Sequence, residues 1–357
     1  MTSPSPSAPL RPKRHRPLLC GYYGEHNLGD DALLAVLLDQ LPAGVEPRVT
    51  AHDQPLVRRL FRVATVDRRR LVKVLAALAR CDALVLGGGS LLQDATSFRS
   101  LLYYALLMGC ARACGRPVLL WGQGLGPLRR RRSRLLVRAL LPLVSAASWR
   151  DPASARLAAR LGGAGRLGSD PVWAVPAVPW GGKGGPIVLC WRPLPRFQPP
   201  RWRPYLTALE QVLQRSDRPV IWLAFHADQD SGLLEQLERD GLLSPALRQR
   251  SRALGPADPS EALRGFQQAG LVVAMRLHGL ILAALAGAPC AALSYDPKVA
   301  AAAAAIGCPC QDLDQAPPSD LADRWQACLD QPLDPERIAV QRQRTEPHRQ
   351  LLEAWLG

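Results

Sequence analysis

The residues best placed for chemistry lie in one short run, AMRLHGLILAALAGAP, which starts at Ala274. An apolar strand, LVVAM, leads into Arg276, Leu277 and His278, and a helix is expected from Gly279. In an extended chain alternate residues share a face, so Arg276 and His278 should point the same way. Both then stand beside a helix N-terminus, whose free N–H groups favour an anion. A guanidinium forks onto carboxylate or phosphate, and an imidazole moves protons near neutral pH. The pair therefore fits anion binding coupled to proton transfer. A lone histidine is usually structural. This one leaves a strand beside an arginine with no carboxylate nearby in the sequence, which favours function.

Other strand ends carry groups of the same kind. In SWRDP, from Ser148, Asp151 reads as an N-cap with Pro152 at the first helical position, and Gly162 closes that helix. Arg150 has no such local duty; it points either to a bound anion or to a neighbouring carboxylate. GYYGEHNLGDDALLAVLLDQL, from Gly21, passes through a Gly-rich turn into a helix bearing Asp30 and Asp31. Asp30 reads as an N-cap and Asp31 as a charge complementing the helix dipole, or else one of them acts on a sugar hydroxyl. GGGSLLQDATSFRS, from Gly87, suits a phosphate or carboxylate at the mouth of a sheet and lacks the GK[ST] of a P-loop. In SYDPKVAAAAAAIG, Asp296 caps, Pro297 starts and Gly307 stops a helix. Lys298 in its first turn opposes the dipole, which makes sense beside a substrate anion. WGQGLGP, from Trp121, is an ordinary turn. GSDP, from Gly168, reads as a turn in which Asp170 is structural, and FHADQD, with His226, Asp228 and Asp230, as a solvated loop.

Groups like these work together only if strands deliver them to one edge. Strands are expected at Leu18–Tyr22, Arg48–Ala51, Ala83–Leu86, Pro117–Trp121 and Ala146–Trp149, alternating with amphipathic helices. Such alternation argues for a parallel sheet covered on both faces. A Pro- and Gly-rich break follows at 172–186, and the alternation restarts with strands at Ile187–Trp191, Val220–Phe225, Leu271–Met275 and Cys290–Ser294. Two helices, Ser319–Leu329 and Pro335–Leu356, end the chain. The expected organisation is a basic tail at 1–16, a Rossmann-like domain at 17–171, a linker, a second Rossmann-like domain at 187–333 and a C-terminal helix at 334–357. Ligands of doubly wound sheets sit at strand carboxyl ends, which puts the site in the cleft between the two domains.

Of 357 residues, 48% are hydrophobic and 21% charged, enough for two cores and incompatible with wholesale disorder. The net charge of +15 favours anionic partners. Its arginines lack the interleaved aromatics of a nucleic-acid platform, so no nucleic acid is expected. The nine cysteines form no pair of CxxC motifs, and no metal site is expected. Their odd number and the polar start MTSPSPSAPLRPKRHRP fit a cytoplasmic setting, and no run of about 18 apolar residues is there to span a bilayer. The run Arg129–Arg132 with Arg134 reads as a solvated face, compatible with peripheral contact on anionic headgroups at the inner face of the plasma membrane.

Taken in order, GYYGEHNLGDDALL, GGGSLLQDATS, GQGLGP, SWRDP, GSDP and MRLHGLILAALAGAPCAALSYDPKV resemble the successive signatures of the polysaccharide pyruvyl transferases. The likeness, strongest to the CsaB type of bacterial cell-wall polymer assembly, runs from Leu18 to Ala300. Asp31 stands where the family pattern often has Glu. The resemblance implies a glycosyltransferase-B-like fold, two Rossmann-like domains facing across a cleft. It implies phosphoenolpyruvate as donor substrate, no cofactor, and a hexosamine acceptor, often lipid-linked, ketalised at its 4-OH and 6-OH as phosphate leaves. Arg150, Arg276 and His278 match residues implicated in donor binding and catalysis. Gly87, Gly88, Gly89, Ser90 and Lys298 are expected to line the donor site, and Asn27, Asp30, Asp31 and Asp94 the acceptor side. Two other readings compete. One is a nucleotide-sugar glycosyltransferase of the same fold; the other is a basic, non-enzymatic module for anionic glycolipid or nucleic acid. Placement of these residues at strand ends weighs against the second.

Overall fold

The computed structural model describes residues 15–95 and 97–357. The expected tail falls outside them except for His15 and Arg16. The His15 carbonyl accepts from the Glu46 amide at 2.9 Å, and the Arg16 amide donates to Asp82 at 2.8 Å.

The first sheet contains β1 (Leu18–Tyr23), β2 (Arg48–Ala51), β3 (Ala64–Asp67), β4 (Leu84–Gly87), β5 (Val118–Gln123), β6 (Ala146–Trp149) and β7 (Arg166–Leu167). The second contains β8 (Ile187–Cys190), β9 (Val220–Leu223), β10 (Ser251–Leu254), β11 (Leu271–Ala274), β12 (Cys290–Ser294) and β13 (Cys310–Asp312). Their orders are β3-β2-β1-β4-β5-β6-β7 and β10-β9-β8-β11-β12-β13, and the strands within each sheet pair in parallel. This is the expected fold: two doubly wound α/β domains in tandem.

Alternation within strands explains the layers. Leu18 and Cys20, Leu84 and Leu86, and Val118 and Leu120 join one core with helices Leu71–Ala79, Phe98–Ala113 and Arg131–Leu140. Leu19, Val85, Leu119 and Trp121 join the opposite core with helices Leu28–Asp39 and Glu346–Leu356. That second core continues into the other domain, because Leu28–Asp39 also packs against Pro259–Gln267 and Leu277–Leu285. Leu33, Leu34 and Leu37 are fully buried there, each contributing about 2 kcal/mol of transfer free energy. The domains are thus held together by an apolar seam behind the cleft.

The structure departs from the expected elements in places. Strands β3, β7, β10 and β13 and the helix Gln54–Phe61 were not expected. The final helix is two, Pro335–Gln343 and Glu346–Leu356, because Pro347 cannot donate into a continuing helix and instead occupies the first turn of a new one. That last helix returns to β5 and β6 of the first sheet. Among the described residues no helix is long and apolar enough to cross a membrane.

Between β1 and β4, and again between β8 and β11, the connections leave in opposite directions and open a crevice at the strand carboxyl ends. The two crevices are tied together. The Leu28 amide donates to the Phe225 carbonyl at 3.1 Å, and the Ala227 amide to the His26 carbonyl at 2.9 Å.

Candidate functional site

Arg150 leaves the end of β6 with its side chain 6% exposed. One terminal nitrogen lies 3.0 Å from Asp170 Oδ2 and the other 2.9 Å from Ser90 Oγ. Gly124 makes this placement possible: a Cβ there would stand 2.7 Å from Arg150 Nε and 2.6 Å from Ser90 Oγ. Ser90 Oγ also receives Lys298 Nζ at 3.0 Å. Lys298 opens the helix Pro297–Ile306 beyond β12, so cations from the two domains meet on one hydroxyl. Asp170 Oδ2 reaches the second domain as well, 3.3 Å from His278 Nε2, while its Oδ1 accepts from the Val172 amide at 3.1 Å. The capping role expected for Asp170 is therefore real, but it occupies only one of the two oxygens.

Charge sets the character of this cluster. Burial alone would raise the Asp170 carboxyl; the charge and hydrogen bond of His278, then Arg150, outweigh it and hold Asp170 well below the usual range. Burial, and then Arg150, push the Lys298 ammonium down. Asp30 moves the other way: burial raises it to about 6, against the pull of His278 and Arg150. The helix N-cap is Asn27, whose Oδ1 accepts from the Gly29 amide at 3.1 Å and whose Nδ2 donates to Asp30. Asp30 is thus not the N-cap, because the helix starts at Leu28 rather than Asp31. A Cβ on Gly89 would lie 3.5 Å from Asp30 Oδ1, so this carboxyl sits over the glycine turn. Asp31 turns away, accepting from the Gly24 amide at 3.4 Å, and burial raises it to about 7. Gly29 leaves room for the His278 ring, since a Cβ there would collide with Nδ1.

The three glycines form the floor below Ser90. Tyr23 Oη donates to the Gly87 carbonyl at 2.7 Å, and Gly88 and Gly89 adopt φ of 65° and 71°. The Gly89 carbonyl accepts from the Gly124 amide at 2.7 Å, which fastens the GGGS turn to the GQGLGP turn.

Besides Asp31, two expected members, Arg276 and Asp94, lie outside the cluster. Strand β11 ends at Ala274 and the helix begins at Leu277, not Gly279, so Arg276 is an N-cap and His278 sits in the first helical turn. The shared face expected from strand alternation is lost. Arg276 instead forks onto Asp230, at 3.0 Å from Nε and 2.5 Å from Nη2, and reaches Gln229 at 3.2 Å. The Asp230 side chain is fully buried and also accepts from the His226 amide at 2.8 Å. FHADQD is therefore not a solvated loop; Ala227–Asp230 forms a helical turn that carries the partner of Arg276. Asp94 gives both oxygens to the Arg129 and Arg130 amides, at 2.8 and 2.9 Å, and braces the turn before the helix Arg131–Leu140.

Sequence reasoning misses one contributor. Asp170 reads as structural in the sequence, and nothing near it marks its link to His278, 108 residues away. Cavities of about 350 and 280 Å³ lie elsewhere and include no residue of the cluster.

A family model for polysaccharide pyruvyl transferases matches residues 27–297. The chain belongs to the polysaccharide pyruvyl transferase family. No curated sequence matches it. Solved structures similar to it include the UDP-GlcNAc 2-epimerase of Methanocaldococcus jannaschii, at 12% identity and TM-score 0.61 over 96% of this chain and 100% of that one. The glycotransferase of kitacinnamycin is similar at 14% identity and TM-score 0.57, over 97% and 100%. Anabaena Alr3699/HepE, solved in complex with UDP and glucose, is similar at 12% identity and TM-score 0.53, over 96% and 99%. At such identities the likeness speaks for the two-domain fold alone.

For a polysaccharide pyruvyl transferase the arrangement has clear chemical capacities. Two cations and an imidazole surround one ionised carboxylate and one hydroxyl, a setting that accepts a further anion. A carboxyl held near neutrality stands beside them, able to take or give a proton.

Proposed function

We propose that this transferase moves the enolpyruvyl group of phosphoenolpyruvate onto the 4-OH and 6-OH of a hexosamine as a ketal, releasing phosphate. The acceptor is a lipid-linked precursor of a cell-wall polymer, as in the CsaB type, handled at the cytoplasmic face of the membrane. The observation that carries this reading is the meeting of Arg150 and Lys298, from opposite domains, on Ser90 Oγ, with His278 alongside on Asp170. Phosphoenolpyruvate presents a phosphate and a carboxylate a few bonds apart, and two such cations supply the matching charge.

The reaction begins when His278 gives a proton to the enol methylene carbon, leaving positive charge on the carbon that bears the phosphate. One acceptor hydroxyl bonds to that carbon and loses its proton to Asp30. The carbon–oxygen bond to phosphate then breaks, and the second hydroxyl closes the ketal. Asp30 passes the first hydroxyl proton to the departing phosphate and the second hydroxyl proton restores His278, so both groups return to their starting states and the balance closes. Arg150 and Lys298 stabilise the departing phosphate. Asp170 fixes the imidazole and offers it a counter-charge. Arg276, locked on Asp230, sets the corner from which His278 projects.

The test is to incubate the protein with phosphoenolpyruvate and lipid-linked amino-sugar acceptors, following phosphate and the mass of the acceptor. Phosphate release with a pyruvate ketal on the acceptor is expected. Thermal stabilisation by UDP but not by phosphoenolpyruvate, with no ketal formed, would replace this reading with sugar-nucleotide transfer.

A further inference from the structure

The positive charge of the chain is concentrated in one stretch. From Arg68 to Arg150 there are fifteen Lys and Arg against two acids, Asp82 and Asp94, so this segment holds most of the net +15. Both acids are engaged: Asp94 binds the amides of Arg129 and Arg130, and Asp82 that of Arg16. Seven of these cations lie on helices Leu71–Ala79, Phe98–Ala113 and Arg131–Leu140, side by side on one face of the first sheet, while Arg68 and Arg69 pair with Glu25 and Arg150 with Asp170. Each helix follows a strand, so its N-terminus stands at the carboxyl edge of the sheet, the edge that carries Ser90 and Arg150. None of the three has an acid in its first turn, while Arg70, Arg99 and Arg131 stand at or beside the three N-caps. Arg70 pairs with Asp67 at 3.3 Å, but Arg99 and Arg131 have no such partner among the described residues and oppose the helix dipole, so helix stability does not account for them.

The same layer exposes apolar side chains. Val72 is 80% exposed and Leu135 66%, with Leu102 and Leu106 between them on the middle helix. These are four of the nine large apolar residues exposed on the described surface, which is too many for chance scatter on three neighbouring helices. Arginines interleaved with exposed aliphatic residues make a surface that seats among anionic headgroups with its apolar groups at the acyl boundary. Nucleic acid fits less well, because the rings here, Phe98, Tyr103 and Tyr104, are half-buried or buried and offer no stacking platform.

We propose that this helical layer of the first domain docks on an anionic lipid bilayer and brings the cleft rim to the headgroups. The proposal deepens the reading of a lipid-linked acceptor and rests on it for its purpose, but its test contains no substrate. The full-length protein is mixed with vesicles of phosphatidylcholine, alone or with about one third phosphatidylglycerol, and bound protein is measured by co-sedimentation. Binding is expected to the anionic vesicles at about 0.1 M salt, with release at about 0.5 M, and no binding to the neutral ones. Changing Arg99, Arg131 and Arg138 together to Gln should lower partitioning roughly a hundredfold. L102S/L106S/L135S should lower it too and leave the residue of binding more salt-sensitive. All six positions are exposed, and melting curves check that the fold survives. Lys13→Gln with Arg14→Gln, in the other basic segment, should change nothing. The proposal is overturned by absence of anionic-vesicle binding, by binding that neither helix variant weakens, by loss confined to the Lys13/Arg14 variant, or by duplex DNA displacing the vesicles. None of these outcomes bears on phosphoenolpyruvate turnover, and failed turnover leaves the docking surface standing.

Discussion

Arg150 and Arg276 occupy matching places, just beyond β6 and β11 at the carboxyl edges of the two sheets, yet their charges are held differently. Arg276 meets Asp230 with two nitrogens, and among the described residues no other cation pairs with that buried carboxylate. Arg150 shares Asp170 with His278 and gives its other nitrogen to Ser90, whose oxygen Lys298 also holds. The first is a closed pair. The second is shared among groups from both domains, and Arg150 Nε also lies 3.9 Å from Asp151 Oδ2. An arginine at a strand end is therefore not a binding group in itself; what decides is whether the nearest carboxylate is exclusive or shared.

The largest effect expected from this contrast is at His278. His278→Gln keeps the approximate size and removes the titrating ring, so phosphate release should fall by about 10²–10⁴-fold with melting temperature little changed. Turnover near the wild-type level would take the ring out of the chemistry. Next comes stability. Arg276→Ala leaves Asp230 buried without its counter-ion and should cost about 3–5 kcal/mol in urea unfolding. Arg150→Ala should cost clearly less, because Asp170 keeps His278. Equal losses would erase the distinction between closed and shared pairs. A third test reads activity: Arg150→Lys keeps the charge but loses the fork, and should lower kcat/KM by about a hundredfold. The matching Arg276→Lys should mainly lower stability.

Much of the fold was legible because buried parallel strands announce themselves as short apolar runs, as IVLC and LVVA do. The strands that escaped notice lie towards the sheet margins. Residues Arg166–Leu167 and Ala253–Leu254 are exposed, so no apolar run marks β7 or β10. The site was legible as a set of strand ends, not as a set of partners. Ser90 meets Lys298 across 208 residues and Asp170 meets His278 across 108, distances that no local pattern encodes. The misplacement of Arg276 has a local cause. MRLHG fits both the end of a strand and the start of a helix, and a two-residue difference in the helix start turns the side chain from the cluster towards Asp230.

The smallest predicted effect concerns two buried carboxyls with opposite histories. Asp31 is 3% exposed, and burial raises it from 3.8 to about 7, against the Gly24 amide. A raised carboxyl favours the fold only while protonated. Its contribution is complete below about 3.8 and is lost as pH rises through about 7. Asn keeps an acceptor for the Gly24 amide and never ionises. D31N should therefore gain stability over the wild type between about pH 4 and about pH 8, by on the order of 1–3 kcal/mol. Asp170 carries the reverse sign: its depressed carboxyl stabilises the fold above 3.8 and loses that contribution as pH falls through its folded value. D170N should accordingly melt below the wild type at both pH values. If D31N and D170N shift in the same direction at about pH 8, burial rather than cation sharing governs both carboxyls, and the cluster around Asp170 is no different in kind from the rest of the interior.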